Sequence, residues 1–144
     1  MLKFIISGED IKSQVQNLGL TILRVFAGLS MAFVHGIGKI PPSEGFIEGT
    51  GNLGFPFPVF FAWSAGISEF FGGIILAFGL FTRPSALFLA ITMGVAAFLR
   101  HGADPFVNKE KALLFMTVFI LFILVGSGKY GVDSLLRKRM LTRK

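Results

Sequence analysis

The chain contains no cysteine among its 144 residues. That absence excludes disulfides, Cys-ligated zinc and iron–sulfur sites, and thiol–disulfide exchange by the chain's own side chains. Charge is also scarce. Asp, Glu, Lys and Arg make up 15% of the residues, against about 25% in soluble globular domains. Acids are the scarcer sign, 8 against 14 basic residues, for a net charge of +6. In their place stand 18 phenylalanines, 18 glycines and a hydrophobic fraction of 53%. A soluble fold of this length has too small a core to hide that much apolar surface. The composition excludes an ordinary soluble enzyme, a disordered chain and a nucleic-acid module, so no nucleic-acid partner is expected. It points to an integral membrane protein whose first partner is the lipid bilayer.

The punctuation predicts an all-α transmembrane four-helix bundle. Residues 1–17 read as a short N-terminal interfacial segment, and no signal-peptide pattern follows the start. The transmembrane domain covers 18–136, with spans over 18–40, 57–81, 85–101 and 112–128. Pro41 and Pro42 end the first. Residues 41–56, with Gly45, Gly49, Gly51 and Gly54, read as a turn-rich loop. Thr82-Arg83-Pro84 is a tight turn, 102–111 a polar loop, and 137–144 a basic tail. The last two spans are near the lower limit of about 17 residues for a crossing helix. A re-entrant hairpin over 85–128 is the alternative. Lysines and arginines concentrate at Lys3, Lys12, Arg83 and the tail, which favours both termini inside. The expected location is a bacterial inner membrane. No repeat pairs the spans into inverted halves, which argues against a transporter.

Charges at membrane depth are costly and therefore candidates for function. Arg24 lies about 9 Å into the first helix at 1.5 Å per residue. Glu69 lies near the middle of the second. An extended arginine spans the depth gap of roughly 7 Å between them, so an Arg24–Glu69 pair is expected, as a structural clasp or as part of a binding pocket. Arg24, Gly28, Met31, His35 and Lys39 share one helical face. Gly66, Glu69, Gly73 and Ala77 form a matching face of mostly small residues. His35 and His101 belong to the same end of the molecule and titrate near neutral pH. No metal site is expected from two histidines. The candidate ligand-binding set is Arg24, His35, Lys39, Glu69, Arg100 and His101. Its candidate catalytic members are His35, Glu69 and His101.

The run from Arg24 to Asp133 resembles the DoxX family of small bacterial membrane proteins. The resemblance rests on several pieces in order. His35-Gly36 with Lys39 comes first, then Leu53-Gly54-Phe55-Pro56-Phe57-Pro58. Gly66-Ile67-Ser68-Glu69-Phe70-Phe71-Gly72-Gly73 follows, then Gly79-Leu80-Phe81-Thr82-Arg83, with Met93 and His101 beyond. Gly126-Ser127-Gly128-Lys129-Tyr130 and Asp133-Ser134-Leu135 close the pattern. The resemblance implies a four-helix inner-membrane protein tied to quinone-linked redox metabolism or oxidative-stress defence. It implies a quinone as the small-molecule partner and other membrane or redox proteins as subunits. A non-catalytic accessory or scaffold subunit of a larger membrane complex is the second reading.

Overall fold

The structure, a computed structural model, describes residues 13–142. Most of the expected N-terminal interfacial segment therefore lies outside the described residues. Every regular element among the described residues is helical.

Helix α1 runs over Gln14–Lys39, starting earlier than residue 18. Ser13 caps it, its hydroxyl accepting from the Gln16 N–H, a role for which a short polar side chain is suited. The rod is α-helical to Ser30, makes a π turn over Met31–Gly36, and closes with a 3-10 turn over Ile37–Lys39. Helix α2, Glu44–Asn52, occupies what the sequence suggests is a loop. Ser43 caps it at Phe46, and Glu44 sits in its first turn, where a negative charge suits the helix dipole. Helix α3 covers Pro58–Phe78, with Pro58 at its first turn and a π turn over Ser68–Gly72.

Helix α4 covers Thr82–Arg100 and ends in a third π turn over Ala96–Arg100. The α3–α4 turn is left-handed at Gly79 (φ 69°) and Phe81 (φ 43°). Glycine is required at 79, because a Cβ there would collide with the Arg24 guanidinium. Helix α5, Phe106–Val125, begins inside the expected polar loop and stops at Gly126. Helix α6, Val132–Thr142, takes up most of the expected tail.

Helices α1 and α3 run antiparallel and touch backbone to backbone. A Cβ on Gly28 would lie 2.5 Å from the Gly73 carbonyl oxygen, and one on Gly73 would lie 2.6 Å from that of Gly28. Small residues are what allow such an approach. The apolar core between the rods is built on Met31, Leu76, Leu89, Phe119 and Phe122, all completely buried. Outward-facing apolar residues such as Phe26, Val34, Phe60 and Phe88 are left exposed, as a lipid-facing surface requires.

Helices α1, α3 and α4 are long and apolar enough to cross a membrane. Helix α5 packs along α4, but Lys109, Glu110 and Lys111 occupy its early turns. Its apolar stretch is correspondingly short.

Candidate functional site

The Lys39 end of the rods holds a cavity of about 500 Å³. Four of the six expected ligand-binding residues line it: His35, Lys39, Glu69 and His101. They come from α1, α3 and the end of α4. Two lie in π turns, His35 in that of α1 and Glu69 in that of α3, and Ala96 brings the π turn of α4 to the same wall. A π turn is rare in regular helices and is enriched at functional sites.

Glycines bring the charged residues together. A Cβ on Gly36 would meet the backbone of Glu69 and Phe70, and one on Gly66 would meet the Lys39 carbonyl at 2.7 Å. With the rods held that close, the Lys39 Nζ donates to Glu69 Oε1 at 2.7 Å and to Oε2 at 2.6 Å. The Lys39 ammonium also lies over the Phe46 ring of α2, 5.4 Å from its centroid, within cation–π range. Glu69 is 1% exposed and the Lys39 side chain 30%. The pair is thus a covered carboxylate held by a cation that still reaches the cavity.

The histidines differ. The His35 ring packs edge-on against Phe115 of α5, with centroids 5.7 Å apart. His101 closes α4, and its Nδ1 meets Asp104 Oδ2 at 2.7 Å. That contact leaves Nε2 as the second ring nitrogen available to a ligand. The exposed Asp104 carboxyl is held below the usual carboxylate range, first by its hydrogen bond to His101. Asn108, Lys111 and Phe115 of α5 also line the cavity. The sequence reading leaves out Asn108 and Lys111 because it places 102–111 in a loop, and it leaves out Phe115 because an apolar residue of the fourth span carries no charge to mark it. Pro105 followed by an apolar residue was the available signal of a helix start there.

Two expected members lie elsewhere. The Arg100 guanidinium lies near Gly49 of α2, outside the cavity lining. Arg24 is fully buried at the opposite end of α1, where its guanidinium donates to the carbonyls of Leu76 at 3.0 Å and Ala77 at 2.9 Å. It serves the C-terminal carbonyls of α3, the negative end of that helix. Those carbonyls lie about two turns from Glu69, roughly 11 Å along the axis. The expected Arg24–Glu69 pair is therefore corrected: Lys39 is the partner of Glu69. The antiparallel register set by Gly28 on Gly73 and Gly36 on Glu69 separates the two.

Around Arg24 lies a second polar cluster that holds the fold. Asp133 of α6 accepts from the N–H groups of Phe81 at 2.8 Å and Thr82 at 2.9 Å, capping α4. Asn17 of α1 accepts from the Lys129 N–H at 2.9 Å. Arg83 donates to the Leu124 carbonyl at the end of α5.

The DoxX family model matches residues 19–102, more than half of the chain and inclusive of His35, Lys39, Glu69 and His101. CatD of Bacillus subtilis (strain 168), whose name marks it as a candidate oxidoreductase, is 33% identical over 122 residues, covering 84% of this chain and 89% of that protein. The inner membrane protein YqjF of Escherichia coli (strain K12) is 31% identical over 135 residues, covering 88% of this chain and 98% of that protein. The inner membrane protein YphA of the same organism is 27% identical over 123 residues, covering 79% and 88%. No solved structure matches the chain significantly. Matched by the family model across its three long apolar helices, the chain belongs to the DoxX family and is a multi-pass protein of the bacterial inner membrane.

Proposed function

We propose that the chain is a membrane component of quinone-linked redox metabolism or oxidative-stress defence, and that the cavity at the Lys39 end receives the quinone head group. The observation that carries this reading is one cavity of about 500 Å³ lined by the Lys39–Glu69 pair, His35 and His101. The site fits such a ring. Phe115 offers an aromatic wall, and Lys39, His101 and Asn108 offer donors for ring oxygens. A bound quinone supplies the two-electron chemistry, and a redox partner protein supplies or takes the electrons. His35 and His101 hold or release the accompanying protons. Lys39 keeps a positive charge beside the ring oxygens, and Glu69 fixes where that charge stands. The name of CatD, which concerns that relative, is consistent with redox work.

The same proposal includes the topology. Helix α5 completes a four-span bundle, with Lys109 and Lys111 snorkelling to the surface. Both termini face the cytoplasm, and the cavity opens to the outer side. The basic residues of α6, Arg137, Lys138 and Arg139, then obey the positive-inside rule.

A scaffold reading draws on one observation: Glu69 is fully satisfied by Lys39, so the pair also serves as a clasp. Binding separates the two readings. A short-chain benzoquinone is titrated into the protein in nanodiscs, followed by calorimetry. Saturable binding that weakens in Glu69→Gln and His35→Gln supports the quinone site. Absence of saturable binding to the parent, or equal binding by all three proteins, overturns it in favour of the scaffold.

A further inference from the structure

The charges that line the cavity do not cancel. Lys39 and Lys111 face it, and Glu69 is the one carboxylate among its lining residues. Lys39 already engages both oxygens of Glu69. Lys111, on α5, forms no ion pair among the described residues. Asp104, Glu110, Glu44 and Glu48 belong to the same end of the molecule, yet none of them lines the cavity. Both lysine ammonium groups lie within electrostatic range of the His35 ring. Beside them stands an aromatic wall, His35 against Phe115 at 5.7 Å and Phe115 stacked on Phe119 at 5.9 Å.

An unmatched cation next to an apolar wall favours a ligand that is both a ring and an anion. Charge–charge attraction strengthens as water is displaced from the cleft. A neutral ring would cover part of the cavity without meeting that charge. Building on the quinone reading above, we propose that the cavity selects quinone-like rings bearing an ionised hydroxyl, with Lys111 holding the ionised oxygen. Lys111 lies beyond the segment that the family model matches, residues 19–102, so this preference is set by α5 rather than by the Lys39–Glu69 pair.

The test uses the full chain in nanodiscs of zwitterionic lipid, so that no anionic headgroup competes. Two probes are titrated at neutral pH: 2-hydroxy-1,4-naphthoquinone, which is ionised, and its neutral 2-methoxy ether. The hydroxy compound should bind at least about threefold more tightly, the scale of one partly exposed ion pair. Lys111→Gln should abolish that preference, so that the variant binds the two probes alike. Because Lys111 is an exposed residue of α5, the variant should keep the parent's elution profile and helical signal. Equal affinity of the parent for both probes overturns the anion preference and leaves the quinone reading standing. Binding of neither probe overturns both. A preference that survives in Lys111→Gln overturns the assignment to that residue. Displacement of the hydroxy compound by equimolar inorganic phosphate overturns the requirement for a ring.

Discussion

Lys39 and Glu69 are paired through both carboxylate oxygens across 30 residues of sequence, yet the two partners are unequally covered. Glu69 is 1% exposed, while the Lys39 side chain is 30% exposed. Removing one partner is therefore not equivalent to removing the other. Lys39→Met strands a buried carboxylate and should cost about 3 kcal/mol or more. Glu69→Leu leaves a lysine that can turn to water, and should cost roughly 1 kcal/mol. The joint variant should recover most of the Lys39→Met loss. Thermal unfolding in a mild detergent reads all three, and equal small losses for both single variants would refute a buried clasp.

The α1–α3 crossing makes a contrasting prediction. Gly28→Ala places a Cβ 2.5 Å from the Gly73 carbonyl oxygen and 2.8 Å from the Ala77 nitrogen. The rods must separate, at about 1–3 kcal/mol. Gly19→Ala, in the same helix, meets nothing within 4 Å and should be neutral or slightly stabilising, by up to about 1 kcal/mol. Midpoints measured side by side decide it. Similar behaviour of the two variants would sink the close crossing.

Acid should act at the His101–Asp104 contact. Asp104 is held below its ordinary range by the hydrogen bond to His101. A depressed carboxylate contributes stability above its unfolded value, about 3.9 for Asp, and loses it as pH falls through the lowered value. Asp104→Asn should flatten this acid limb. Melting midpoints measured in steps downward from about pH 6 check it, and an unchanged acid limb in the variant would count against the contact.

The missing cysteines make topology easy to probe, since an introduced thiol has no background. A membrane-impermeant maleimide applied to whole cells should label Glu48→Cys in α2. It should fail to label Thr142→Cys until the cells are opened. The reverse pattern would invert the proposed orientation.

Much of this was legible because helix ends carry chemical marks. Pro41, Pro58 and Pro84 bound the first three rods to within a few residues, but the expected turn over Thr82-Arg83-Pro84 is the first turn of α4, and the chain reverses just before it at Gly79–Phe81. Helix α2 was hidden by Gly45, Gly49 and Gly51, which read as turns. It is held by Ser43 at its start and by Gly51 resting on Pro58 at its end. The cavity was half legible. His35, Lys39, Glu69 and His101 stood out as charges in apolar surroundings, but their pairing depended on register. Register is fixed by where Gly28, Gly36 and Gly66 let backbones touch, and a depth estimate from span ends does not contain that information. Lys111 was invisible as a site residue once its turn of α5 was read as loop.

The π turn of α1 lies between Gly28, which sets the crossing with α3, and Lys39, which serves the cavity. Such a turn carries one residue more than an α turn, and each residue of a regular helix advances about 100°. Deleting a single residue from Met31–Phe33 would close the wide turn into an α turn and keep both the Gly28 contact and the bearing of Lys39 on Glu69, whereas winding all the present residues as a regular helix would swing Lys39 about 100° away from Glu69. Packing seam and polar site thus occupy one helix on two separate clocks, offset by a single amino acid. A chain with that deletion should therefore insert, pack and keep the Lys39–Glu69 pair as before, whereas one further α-wound residue inserted between Gly28 and Lys39 should leave Glu69 without its cation.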